Sequence, residues 1–275
     1  MNLDSHQHFW SYNEREYPWI PKGTALHRDW LPADLTALQQ PLGIGGTISV
    51  QARQTLGESR WLLTLADHDP RIKGVVGWVD LQSPDIEIQL TELSQHPRFR
   101  GVRHVVQDES DEGFMQRPEF RRGIQALKAF SVTYDLLIRS TQLTAATELV
   151  REFPEQPFVL DHLAKPPIKA GLIEPWKRDI RELAKASHVM CKVSGMVTEA
   201  DHRGWKATDL RPYLDVVFDC FGPERLMWGS DWPVCLLAAD YGQVLAVVED
   251  FTRALDSVQR DALFGGNCAK FYGIR

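Results

Sequence analysis

The 275-residue chain is short of several things, and each shortage closes a route. It has four cysteines, Cys191, Cys220, Cys235 and Cys268, and none forms a C-x-x-C pair. That spacing offers no zinc knuckle and no disulfide framework, and it reads as reduced core thiols in a cytoplasmic protein. Positive charge is not in excess: 31 Lys and Arg face 37 Asp and Glu, for a net charge of −6. A nucleic-acid partner wants a basic face, so it is set aside. No apolar run approaches the roughly 18 residues that span a membrane, which sets a membrane partner aside too. The opening MNLDSHQHFW has neither the basic nor the apolar region of a signal peptide. No G-x-G-x-x-G follows any candidate strand, which argues against a doubly wound dinucleotide fold. Low-complexity tracts, internal repeats and Gly/Ser linkers are missing as well.

What is present alternates short apolar runs with amphipathic stretches. A composition of 43% hydrophobic and 25% charged residues suits a soluble protein with a sizeable core. Eight apolar runs predict strands at 2–8, 46–51, 74–80, 101–106, 133–138, 158–162, 189–194 and 226–231. Most are rich in Val, Ile and Leu without strict alternation, the pattern of strands covered on both faces. Helix starts fall between them: Ser83-Pro84-Asp85, Arg117-Pro118, a capping Thr141, Glu174-Pro175 and Thr208-Asp209. Alternating strands and helices with short links predict βα units around a parallel sheet. Eight such units fill about 250 residues as a (β/α)₈ (TIM) barrel, so residues 1–275 read as one α/β barrel domain. One stretch breaks the pattern. Residues 11–31 (SYNEREYPWIPKGTALHRDWL) are polar, aromatic and aperiodic. Following the first strand, they read as a loop over the active-site face.

The residues that carry chemistry fall at predicted strand ends. His6 and His8 are two apart on a strand, so both imidazoles face the barrel mouth and present half of a zinc coordination shell. His162 ends the run PFVLDH, and Asp231 ends LMWGSD just before Trp232-Pro233. Arg103 lies in GVRHVV. Barrel catalytic residues cluster at these ends. Each residue also has a plain structural reading, as core histidine, helix cap or ion-pair partner. Their shared placement is what points to a site. The long loop carries Trp10, Tyr12, Tyr17, Trp19 and Trp30, and Trp232 follows Asp231. Flat aromatics beside polar groups suit a sugar ring, which makes Trp10, Trp30 and Trp232 candidate substrate contacts. Arg139, Lys165 and Lys192 near strand ends are candidate contacts to hydroxyls or a carboxylate.

Four motifs in order, LDSHQHFW, LDHLAKP, MWGSDWP and FGGNCAKFYGI, resemble the amidohydrolase superfamily from end to end. The likeness is to its lactonase branch, which contains L-fuconolactonase, L-rhamnonolactonase and pyrone-dicarboxylate lactonase. The resemblance implies a hydrolase that opens a small-molecule sugar lactone to its acid. Asp231 would be the general base, with His162 and Arg103 assisting. The alternative within the superfamily is a decarboxylase of a small carboxylic acid. An amidase or phosphoesterase would usually want two metals, and the bridging lysine for them is missing. Arg103 stands in its place, and Arg139 follows the fifth strand where many relatives have a histidine. Two readings stay open. One divalent ion, zinc, sits on His6, His8 and Asp231 with His162 as a further ligand, or the histidines hold substrate and water without metal.

Overall fold

The computed structural model describes residues 1–274. Eight parallel strands run in chain order around one sheet. They are β1 (Asn2–Gln7), β2 (Ile44–Val50), β3 (Ile72–Gly77), β4 (Phe99–His104), β5 (Thr133–Leu136), β6 (Phe158–Leu160), β7 (Val189–Val193) and β8 (Leu226–Trp228). Nearly every strand residue is buried, as expected when helices cover the outer face and side chains fill the inside. Closure comes from beyond β8. The Asp231 N–H donates to the His6 carbonyl at 2.8 Å, and the His8 N–H donates to the Trp232 carbonyl at 2.7 Å. These bonds hold the end of β1 against the segment after β8, where the candidate site lies. The architecture is that of the predicted barrel.

Each predicted strand corresponds to an observed one, but the observed strands stop one to three residues earlier. Past the ladder, Val105 and Leu137 line the barrel mouth, whereas Val79, Val106 and Ile138 stay in the core. Helix starts match at Pro118, which sits in the first turn of Pro118–Leu127. Thr141 caps nothing; it lies within a 3₁₀ turn, Ser140–Gln142, and the helix begins at Leu143. Asp209 acts from inside its helix, accepting from the Lys206 N–H at 2.8 Å.

Two apolar clusters form the core. The larger lies between the strands and the surrounding helices. The smaller fills the lower barrel with Leu3, Ile48, Val76, Val159 and Met227, closed by Cys268 and Tyr272 from the C-terminal segment. Asn267 anchors that segment, donating to the carbonyls of Pro223 at 2.8 Å and Leu226 at 2.6 Å. The closing motif FGGNCAKFYGI thus plugs the barrel bottom. Among the described residues, no helix is long and apolar enough to cross a membrane.

Candidate active site

His6 and His8 emerge from β1 on one face, as their spacing requires. Their Nε2 atoms lie 3.2 Å apart. The His8 Nδ1 is 2.8 Å from the Val50 carbonyl. A carbonyl only accepts, so this nitrogen carries the proton and Nε2 presents a lone pair. Asp231 Oδ1 is 3.4 Å from the His8 Nε2, 3.8 Å from the His6 Nε2 and 3.8 Å from the His162 Nε2. The structure therefore brings all four residues together, and each is buried.

Two of the four stand on backbone that side chains rarely adopt. Asp231 has φ 58°. His162 opens a left-handed turn with Leu163, Ala164 and Lys165, at φ 53°, 54°, 58° and 51°. Such a conformation costs roughly 1–2 kcal/mol per non-glycine residue, so neighbours must hold it. The Trp176 indole donates to the Leu163 carbonyl at 2.7 Å. Leu163 and Ala164 are fully buried. The His162 Nδ1 meets the Ser194 hydroxyl at 2.9 Å. Gly195 completes the fit: a Cβ there would lie 2.5 Å from the His162 Nδ1, and its own φ is +64°. A second close approach is at Gly229, where a Cβ would lie 2.8 Å from the His6 Cβ.

Asp231 is steadied from behind by Asp4. The Asp4 carboxylate accepts from the Ser230 N–H at 2.9 Å, the Ser230 hydroxyl at 2.6 Å and the Tyr241 hydroxyl at 3.0 Å. Burial pushes the Asp4 carboxyl up to about 6. Burial alone would raise Asp231 too, but His162, His8 and His6 outweigh it and hold it well below the usual carboxylate range. Burial moves the imidazoles the other way. His162 is lowered to about 4 and His6 well below its usual value. At neutral pH the mouth therefore holds an ionised Asp231 among neutral His6 and His162.

Beneath His6 lies a charge network that strand-end reasoning did not anticipate as a unit. Lys192 Nζ is 2.5 Å from Asp135 Oδ2, 3.0 Å from Asp161 Oδ1 and 3.1 Å from the His6 Nδ1. Asp161 Oδ1 is 3.3 Å from the same His6 nitrogen. The Tyr272 hydroxyl donates to Asp135 at 2.8 Å. Arg103 donates to Asp161 Oδ2 at 3.1 Å and to the Gln51 carbonyl, and its Nη1 is 3.3 Å from the His6 Nε2. Burial favours a neutral amine, yet Asp135 and Asp161 outweigh it and raise Lys192 above its usual range. Lys192 is fully buried, so it is no substrate contact; it is the counter-ion beneath the site. One sequence signal marks all these residues: a lone charge inside an apolar strand run, as in TYDLLI, FVLDH and VMCKVS. Such a charge needs a buried partner.

A cavity of about 760 Å³ opens above this floor. His8, Arg103, His162 and Asp231 line it, with Trp19 from the long loop and Lys165. Trp10, Trp30 and Trp232 are placed elsewhere. All three are buried, outside the cavity lining. Trp10 packs edge-on against Trp19 at 5.5 Å, and Trp30 against Trp232 at 5.1 Å. They form the layer that carries the lid, and Trp19 is the aromatic that reaches the cavity. Arg139 lies on the outer rim, half-exposed and paired with Asp108 at 3.1 Å.

The separations of the donors also fit a metal. Tetrahedral zinc with bonds of 2.0–2.1 Å sets its ligand atoms about 3.3 Å apart. The His6, His8 and Asp231 atoms stand 3.2, 3.4 and 3.8 Å from one another. The His6 ring has a partner in either tautomer: its Nδ1 lies between the Asp161 carboxylate at 3.3 Å and the Lys192 ammonium at 3.1 Å, and its Nε2 faces the Arg103 guanidinium at 3.3 Å.

This arrangement has known counterparts. The amidohydrolase family profile matches residues 3–274. The chain belongs to the amidohydrolase family. It is 42% identical to the L-fucono-1,5-lactonase of Burkholderia multivorans, with 100% of this chain and 96% of that protein covered. It is 39% identical to the L-fucono-1,5-lactonase of Burkholderia ambifaria over the same shares. Among solved structures, this amidohydrolase superposes on one from Burkholderia multivorans with bound zinc, at TM-score 0.96 and 42% identity over 100% of both chains. Amidohydrolase 2 from Bifidobacterium longum subsp. infantis shares the fold, at TM-score 0.77 and 22% identity over 100% of this chain and 99% of that one.

Proposed function

We propose that this amidohydrolase opens a sugar lactone to the corresponding sugar acid. The observation that carries the reading is full-length identity to two L-fucono-1,5-lactonases at 42% and 39%. The mouth supplies the chemistry such a reaction needs. Asp231 is the base: it takes a proton from a water as the oxygen attacks the lactone carbonyl carbon. His162 and the positive charge of Arg103 favour the oxyanion that develops there. As the ring C–O bond breaks, Asp231 returns the proton to the leaving oxygen. Trp19 offers a face for the apolar side of the ring.

His6, His8 and Asp231 would hold a zinc ion, with His162 at hand as a further ligand. When bound, zinc supplies Lewis acidity that brings the pKa of a water down to about 7. That matters because an Asp231 carboxyl held so low is a weak base by itself. Metal-free turnover stays open on energetic grounds. Opening a reactive ester needs only the low end of enzymatic acceleration, roughly 10⁶-fold or about 8 kcal/mol. The four free cysteines, three of them buried, support a reducing compartment, the cytoplasm.

The test is a pH-indicator assay over a panel of aldonolactones, with and without a strong chelator. Acid release is expected from at least one six-membered sugar lactone. Activity lost to chelator and restored by zinc supports the metal reading; activity that survives supports the metal-free one. Release of CO₂ without ring opening would replace the lactonase reading with a decarboxylase.

A further inference from the structure

One charged pair in the cavity wall has no part in the scheme above. Lys165 Nζ lies 3.2 Å from Glu199 Oε1, with the two side chains 22% and 26% exposed. An ordinary surface pair of this chain, Lys128 with Glu155, is 64% and 71% exposed. Both Lys165 and Glu199 line the same cavity as His162 and Asp231.

Their backbone ties them to the site. Lys165 ends the left-handed turn that His162 opens, so one strained segment delivers both side chains to the cavity. Glu199 ends the short helix Met196–Glu199, which follows Gly195. Gly195 is the residue whose missing side chain leaves room for the His162 ring. The two loops are thus held by the same contacts that place a catalytic histidine.

A cation beside a carboxylate presents a donor and an acceptor side by side. Adjacent sugar hydroxyls are the complement: one oxygen accepts from the ammonium, and the neighbouring hydroxyl donates to the carboxylate. A plain hydrocarbon ring would strip water from both charges and return nothing. We propose that Lys165 and Glu199 read adjacent hydroxyls of the substrate, so that the site selects polyhydroxylated lactones and rejects unsubstituted rings. This inference rests on the lactonase reading and adds the group that sets its specificity.

The test compares an aldono-1,5-lactone with δ-valerolactone, which has the same ester ring without hydroxyls. The wild type is expected to favour the aldonolactone in kcat/KM. Lys165→Met, Glu199→Leu and the double variant are each expected to lower that preference at least about tenfold. The loss should fall mainly on KM for the hydroxylated ring. The double variant leaves neither partner of the pair as a lone charge, so it carries the test if a single variant folds poorly. Equal losses on both lactones, as a mere staple between loops would give, overturn the inference. So does an unchanged preference in all three variants. A wild type that opens neither lactone overturns the lactonase reading itself. A wild type that opens both, with variants that keep its preference, overturns only the role of the pair.

Discussion

Beneath His6 the charged side chains stand on or beside strands; at the cavity, His162, Lys165 and Asp231 stand on left-handed backbone. In the floor, Lys192 and Arg103 balance Asp135 and Asp161, all buried and in contact. Arg103, Asp135 and Lys192 lie on β4, β5 and β7, and Asp161 directly follows β6; these four strands are neighbours in the sheet, so extended backbone brings the charges together. The rim is different. His162, Lys165 and Asp231 have positive φ, a conformation that neighbouring contacts must sustain. The floor is thus organised by charge neutrality in a dry interior, where an unpaired ion is costly. The rim is organised by strain held in place for the sake of side-chain direction. Changes in the floor should therefore appear first as lost stability, and changes at the rim first as lost rate.

The largest expected effect tests the rim. Asp231→Asn should lower turnover about 10³-fold, as removal of a general base does, with a melting temperature close to that of the wild type. Asparagine tolerates left-handed backbone, so the turn should survive. Lactone turnover and a thermal melt, measured together, decide it. Near-normal turnover would remove Asp231 as the base, and a large fall in melting temperature would erase the contrast with the floor.

Next is Lys192→Met, which leaves Asp135 and Asp161 buried without their main counter-ion. A loss of about 3–5 kcal/mol in denaturant unfolding is expected. Adding Asp135→Asn should recover part of it. An unchanged unfolding midpoint would mean that the floor is not a coupled set of charges.

The smallest effect concerns Glu58, which joins lid and barrel. Its carboxylate accepts from the Ala52 and Arg53 N–H groups at 3.0 and 2.6 Å, and from the Tyr17 hydroxyl at 3.3 Å. Burial pushes its carboxyl from 4.5 up to about 7. The folded chain therefore binds this proton more tightly than the unfolded one. The stability it contributes is full below about pH 4.5 and is lost as pH rises through about 7. The slope from this one group is at most about 1.4 kcal/mol per pH unit. Glu58→Gln should flatten the fall in unfolding midpoint between pH 5 and pH 7.5. An equally steep fall in the variant would place the titrating group elsewhere.

Much of this was legible in the chain. Runs such as GTISVQ and GVVGWVD mark strands because residues covered on both faces must be apolar. The spacing of His6 and His8 places both rings on one face whatever follows. The aromatic loop was legible as a lid, but not which of its rings would reach the cavity. Trp10 and Trp30 bridge to each other through their backbones, each N–H bonding the other's carbonyl. That pairing turns them inward and leaves Trp19 outermost. Lys165 and Lys192 look alike as lysines near strand ends. Lys192 lies within β7 and points to the interior, whereas Lys165 ends the left-handed turn and faces the cavity.

By itself, the sequence determined the order of eight βα units, the pairing of His6 with His8, and which strands carry a charge. Those follow from local rules: periodicity, burial and the geometry of a strand. Only the tertiary structure decided which charges neutralise one another, which aromatic lines the cavity, and that His162, Lys165 and Asp231 depart from strand geometry. Local preference disfavours that backbone at every one of these positions. It exists because packing around Trp176, Gly195 and Asp4 outweighs the preference, and packing is a property of the folded whole.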